Sequence, residues 1–107
     1  MAAEPVGTSL LFENDQVRVW EMVLPPGTSC PPHRHDHDYL MLYTTPSVIA
    51  ATLDDGRPVL QYLDAGMVPY RAVGAAGLDP HAITNAGRET SHHFVVELLA
   101  DWVSLPT

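Results

Sequence analysis

Three histidines fall within five residues, at His33, His35 and His37, directly after Pro25-Pro26-Gly27-Thr28-Ser29-Cys30-Pro31-Pro32. Side chains two apart on an extended strand point to the same face. Two imidazoles held side by side on a stiff segment form a bidentate metal grip, because neutral imidazole ligates zinc, iron, nickel and copper. The prolines exclude helix and fix φ, so the chain enters the histidines as an extended, pre-ordered strand. The bland alternative is an exposed histidine-rich loop that takes up metal adventitiously. Context elsewhere in the chain decides between the two.

That context is Asp79-Pro80-His81-Ala82-Ile83-Thr84-Asn85, a lone histidine followed four positions later by asparagine. Together the two segments resemble the motifs of the cupin superfamily, G-x5-H-x-H-x3,4-E-x6-G and G-x5-P-x-G-x2-H-x3-N. Gly27, His33 and His35 match the first half of the first motif without a gap. Gly66, Gly74, His81 and Asn85 match most of the second. The resemblance covers about the whole chain, since Glu13 to Leu24 reads like the strand that precedes the first motif. It implies one all-β cupin domain over residues 1–107, a double-stranded β-helix or jelly-roll barrel. It also implies a bound divalent transition metal: iron, zinc, nickel, manganese or copper.

The departures from the family pattern are specific. Tyr39 or Leu40 stands where the family's glutamate ligand lies, Pro46 replaces the first motif's closing glycine, and Ala72 replaces the second motif's proline. Four extra residues separate Gly74 from His81. Loss of the glutamate leaves a three-histidine set, His33, His35 and His81, as the expected ligands. Asp38 falls one residue short of the glutamate position, and Asp36 and Asp38 have strand parity opposite to the histidines. His37 shares the histidines' parity and stands open between ligand, proton shuttle and solvent-facing residue. Tyr39 and Tyr43 continue that face. Either phenol would hydrogen-bond a substrate oxygen, or serve as an amphipathic core residue with a wet hydroxyl.

Positioning these groups requires strands. Short apolar and β-branched runs alternate with turn signals over Ser9–Phe12, Val17–Leu24, His33–Thr44, Val48–Leu53, Val59–Leu63, Met67–Tyr70, Ala82–Asn85 and His92–Leu99. The breaks are Asn14-Asp15, Pro25-Pro26-Gly27, Asp54-Asp55-Gly56, Ala65-Gly66 and Asn85-Ala86-Gly87. Asp55-Gly56 signals a two-residue hairpin. Eight antiparallel strands fit a jelly roll. No stretch has the period of a substantial helix, although Glu97–Val103 has room for a single turn. On the last strand His92 and His93 face opposite ways, and both are expected at the surface or rim.

Composition bounds the function. A chain of 107 residues forms one domain with a modest core. The single Cys30 cannot form an internal bridge, which fits a reducing compartment, and it reads as an unremarkable thiol. The amino terminus has neither a basic region nor an apolar core, so no secretory signal is expected and the location is expected to be cytoplasmic. No apolar run reaches membrane-spanning length. A net charge of −8, with five arginines and no lysine, makes nucleic acid a poor partner. The alanine, proline and arginine bias suggests a GC-rich bacterial genome. An inward-facing arginine would anchor a substrate carboxylate bidentately, and Arg18, Arg34 and Arg71 are the candidates. The apolar run Ser9–Phe12 and the open edges of a small jelly roll predict a homodimer.

Two classes of function follow. One is a metal-dependent enzyme acting on a small, anionic organic substrate, with Tyr39 or His37 moving a proton. The resemblance implies dioxygenases of thiols and diketones among its members, and lyases or isomerases as well. The other is a non-catalytic metal or small-ligand binding module.

Overall fold

The computed structural model describes residues 6–52, 57–73 and 78–100, with the backbone alone at residues 31–33, 52 and 78–81. Among the described residues there are nine strands and no helix. They are β1 (Ser9–Glu13), β2 (Val17–Leu24), β3 (Ser29–His35), β4 (Tyr39–Tyr43), β5 (Ser47–Thr52), β6 (Pro58–Leu63), β7 (Tyr70–Arg71), β8 (Leu78–Asn85) and β9 (Ser91–Leu98). They form two sheets, one ordered β1-β2-β9-β4-β7 and the other β3-β8-β5-β6, with every pairing antiparallel. This is the double-sheet jelly roll that the resemblance implies.

Local chemistry sets the turns. Asn14 Oδ1 accepts the backbone N–H groups of Gln16 and Val17, each at 2.8 Å, which closes the β1–β2 hairpin. Gly27 (φ 76°) and Gly66 (φ 89°) turn through the left-handed region that glycine alone enters without strain. Gly27 N–H donates to the Asn85 carbonyl at 2.9 Å, so the two motif residues meet across the ends of β3 and β8. Asn85 is 1% exposed. Its Nδ2 donates to the carbonyls of Leu24 and Glu89, and its Oδ1 accepts the Gly87 N–H, all at 2.8–2.9 Å. One buried amide thus ties the end of β2 to the β8–β9 turn.

The core lies between the sheets. Val6, Trp20, Tyr39 and Val95 form one buried cluster; Tyr43, Ile49 and Leu63 form another. Met41 packs against both and joins them.

The strand expected over His33–Thr44 is two strands in different sheets, β3 ending at His35 and β4 beginning at Tyr39. Residues Asp36, His37 and Asp38 make the corner between them. The corner is held by Asp38, whose carboxylate accepts the Tyr70 hydroxyl (2.7 Å) and the Val73 N–H (2.8 Å), and whose carbonyl accepts the Leu98 N–H (2.8 Å). Strand parity therefore does not carry through His37. The strand expected over Met67–Tyr70 is instead a two-residue strand shifted to Tyr70–Arg71. The Pro69 and Met67 carbonyls still accept the Met41 and Tyr43 N–H groups at 3.0 Å, but Pro69 has no N–H to return. Strands β5 and β6 pair in register from Ser47↔Leu63 to Thr52↔Pro58, while the Asp55-Gly56 turn itself, Gly74 and residues 101–103 lie outside the described residues. No described helix is long and apolar enough to cross a membrane.

Candidate metal and ligand site

Strand β9 runs through the middle of the first sheet, and its buried face is Ser91, His93, Val95 and Glu97. Residues opposite one another on paired strands share a face, so the registers extend this face sideways. Met22, His93 and Tyr43 make one row; Trp20, Val95 and Met41 make the next. The third row crosses four strands as Arg18, Glu97, Tyr39 and Arg71. One end of the sandwich is therefore polar and charged, and the rest of its interior largely apolar.

Glu97 is 3% exposed, and its Oε1 accepts Trp20 Nε1 at 2.6 Å and Arg18 Nη1 at 3.2 Å. Arg18 Nε donates to Glu13. A buried carboxylate requires such partners, because an unpaired charge out of water is costly. The same contacts commit Arg18 to two carboxylates, so it does not serve as the substrate anchor considered from sequence. Arg34 pairs with Asp36 at 2.8 Å on the surface. Arg71 is half-buried, and its one side-chain hydrogen bond among the described residues is a long 3.4 Å approach of Nη1 to the Tyr70 carbonyl.

The second sheet brings the histidines to this polar end. Between β3 and β8 the register sets His33 opposite His81 and His35 opposite Leu78, with irregularities on either side of His33. The side chains of His33 and His81 lie outside the described residues. His35 is buried, and its ring stacks on Tyr39 at 3.9 Å between centroids and 13° between planes. The two sheets thus meet face to face at His35 and Tyr39. Among the described side chains alone, no group of three His, Cys, Asp or Glu could hold an ion. His37 sits half-buried in the corner.

Burial pushes the Tyr39 phenol up, and the positive charge of Arg71 pulls part of the way back. Burial pushes Tyr43 up to about 12, against the pull of Arg71 and with the push of Tyr39. Both phenols are donors at neutral pH, and the Arg71 charge reaches both. Burial also raises the Cys30 thiol, which keeps it from being a nucleophile.

His93 corrects the expectation of a rim residue. It is 1% exposed, stacks on Tyr43 at 4.4 Å, and its Nδ1 has no hydrogen-bond partner among the described residues. Burial, helped by neighbouring His92, lowers its pKa to about 4, so it is neutral near pH 7. His92 does face outward, with Nε2 2.6 Å from Glu21 Oε2. Sequence reasoning missed His93 and Glu97 as interior groups. Their two-residue alternation with Ser91 and Val95 was the available signal, but the opposite face, His92, Phe94, Val96 and Leu98, is the more apolar and concealed it.

No family model and no curated protein matches the chain. Solved structures do. A cupin domain from Bordetella pertussis Tohama I is 23% identical over 94% of this chain and 99% of its own, with a TM-score of 0.77. An RmlC-like cupin with a double-stranded β-helix fold from Methanocaldococcus jannaschii is 21% identical over 84% and 76%, TM-score 0.66. A polyketide cyclase from Streptomyces resistomycificus is 23% identical over 81% of this chain and 57% of its own, TM-score 0.58. At these identities the likeness establishes the fold: this chain has the double-stranded β-helix of the cupins, a fold on which enzymes occur.

Proposed function

We propose that this chain is a small metal-binding enzyme on the cupin fold, acting on a small anionic organic substrate, with His33, His35 and His81 holding a divalent transition metal. The observation that carries the reading is the β3–β8 register, in which His33 stands opposite His81 and His35 follows two residues on, buried at the polar end of the sandwich. A nitrogen-only donor set fits iron, zinc, nickel or copper, and manganese less well. When bound, such an ion would supply Lewis-acid activation of a carbonyl or carboxylate or, as iron, dioxygen chemistry.

The chain's own residues support the substrate. Tyr39, protonated at neutral pH and in ring contact with His35, would donate a hydrogen bond to a substrate oxygen without neutralising the ion. His37, in the corner beside it, would move a proton to or from the substrate. A three-histidine dioxygenase is the first reaction class. A lyase, isomerase or cyclase is the second, and two phenols kept as proton donors favour it, as does the likeness to a polyketide cyclase. The net charge of −8 argues against nucleic acid as a partner, and a single cysteine, unable to form an internal bridge, agrees with a reducing, cytoplasmic setting.

Elemental analysis of protein purified without added metal tests the ligand set. His33→Ala and His81→Ala should each lose most of the metal; full stoichiometric metal in both overturns the assignment. Oxygen uptake with small thiols and 1,3-diketones then separates dioxygenase chemistry from the non-redox classes. Metal-replete protein with no turnover in any of these classes is a binding module.

A further inference from the structure

Of the five arginines in this chain of net charge −8, two are held by described carboxylates. Arg18 is held by Glu13 and Glu97, and Arg34 by Asp36. Arg71 differs. No described carboxylate lies within ion-pair distance of its guanidinium. It nevertheless stands opposite Tyr39 in the β4–β7 register, on the face that carries the buried row. Its strand neighbour Tyr70 takes the other face, is exposed, and sends its hydroxyl to Asp38.

The segment that carries Arg71 is fixed on both sides by one carboxylate. Asp38 accepts the Tyr70 hydroxyl at 2.7 Å and the Val73 N–H at 2.8 Å, one residue before Arg71 and two after it. A two-residue strand at the edge of a sheet would otherwise hold its side chains loosely. Here the backbone is pinned so that a guanidinium without an ion partner among the described residues stays beside two buried phenols. Ordering of this kind lowers the cost of binding a ligand.

We propose that Arg71 is the anion anchor of this end of the sandwich. Its guanidinium takes the carboxylate of a small organic ligand through a forked pair of hydrogen bonds, with the Tyr39 and Tyr43 hydroxyls as neighbouring donors. The inference deepens the proposed function by naming a carboxylate as the substrate's anionic group and Arg71 as the residue that selects it. It rests on that reading only for the identity of the reaction. The overall negative charge repels anions generally, so carboxylate binding must come from a local cation.

The test is a titration of the full chain with propionate and with its neutral counterpart propionamide. It is followed by amide and arginine Nε–Hε nuclear magnetic resonance shifts, with and without prior chelator dialysis. Wild type should bind propionate in preference to propionamide and shift the Arg71 Nε–Hε signal. Arg71→Gln should weaken propionate binding ten-fold or more, Arg71→Lys should recover part of it as a point charge, and the exposed Arg88→Gln should bind as wild type. Asp38→Asn should weaken binding less than Arg71→Gln and broaden the shifts of residues 70–73. Equal binding of propionate by Arg71→Gln and wild type overturns the proposal, as does a wild type with no preference for propionate over propionamide. Metal content keeps the two readings apart. If His33→Ala and His81→Ala retain metal, the ligand set fails while the Arg71 effect on chelated protein stands or falls by itself.

Discussion

The buried imidazole of His93 makes a quantitative demand on stability. In the unfolded chain a histidine titrates near about 6.5; in the folded protein burial lowers His93 to about 4. Between these values the unfolded state binds the proton and the folded state does not. Its contribution is therefore fully present above about pH 6.5, falls as the pH drops below that, and is exhausted near pH 4. A fall from about 6.5 to about 4, at about 1.4 kcal/mol per pH unit, gives a loss of about 3 to 4 kcal/mol over the whole window and about 2 kcal/mol by pH 5. The burial justifies the conversion, since the residue is 1% exposed. Tyr43, stacked on the ring, stays protonated throughout this range. Other groups titrate in the same interval, so the comparison is with His93→Phe, which keeps an aromatic ring against Tyr43 and removes the titration. Urea denaturation of both proteins, chelator-treated, from pH 7.5 to 4 is the assay. The wild type should lose about 2 kcal/mol relative to His93→Phe by pH 5, while at pH 7.5 the variant, rid of an unpartnered buried Nδ1, should be no less stable. Parallel curves across that interval would refute the reasoning.

Asn85→Ala removes three hydrogen bonds, one buried and two part-buried, and leaves the Leu24 and Glu89 carbonyls and the Gly87 N–H without their amide partner. The expected cost is about 3 kcal/mol, read as a fall in melting temperature of roughly 12 °C or more. Tyr39→Phe should leave metal content intact and lower turnover about ten-fold or more; wild-type behaviour in every assay makes the ring core packing alone. Tyr39→Glu should restore a fourth ligand and, by setting a carboxylate opposite Arg71, weaken anion binding as well. A second copy is expected to cover the outer face of the first sheet. Val19, Val96 and Leu40 follow one another there in register, Phe94 stands opposite Leu42, and the edge strand β1 exposes Leu10, Leu11 and Phe12. Sedimentation should give about twice the chain mass of 11.7 kDa, and a species at the chain mass at micromolar concentration rules the dimer out.

Turn chemistry made most of the fold legible. Asn14, Gly27, Gly66 and Asn85 each occupy the break that their residue type announces, and β2, β5, β6 and β9 run close to the expected spans, whereas β3 and β8 each begin four residues earlier than expected. The motif spacing foresaw which strands would carry the histidines, and the register does bring His33 opposite His81. What failed was the stretch after His35. Local alternation reads straight through Asp36-His37-Asp38, because nothing within it breaks a strand. The corner is made by partners distant in sequence, Tyr70, Val73 and Leu98, which all bond to Asp38. A tertiary contact overrode a local pattern, and with it went the parity argument for His37.

The polar row was hidden for a related reason. Arg18, Glu97, Tyr39 and Arg71 share a face only through three separate registers, β2 on β9, β9 on β4 and β4 on β7. A slip of one residue in any of them would exchange inner for outer side chains, putting Tyr70 in place of Arg71 or Val96 in place of Glu97. Sequence alone could name Arg18, Arg34 and Arg71 as anchors but had no means of ranking them, since ranking depends on which cations already have carboxylates across the sheet. Once the registers are known, Glu97 answers Arg18 across the sheet, while Asp36, two residues on, answers Arg34. Arg71 is left beside two phenols and across the sandwich from His35, whose ring rests on Tyr39. Two elements of the proposed chemistry therefore have different origins. The motif spacing positions the histidines, whereas the pairing of β7 with β4, held by Asp38, positions the charge that would choose their substrate.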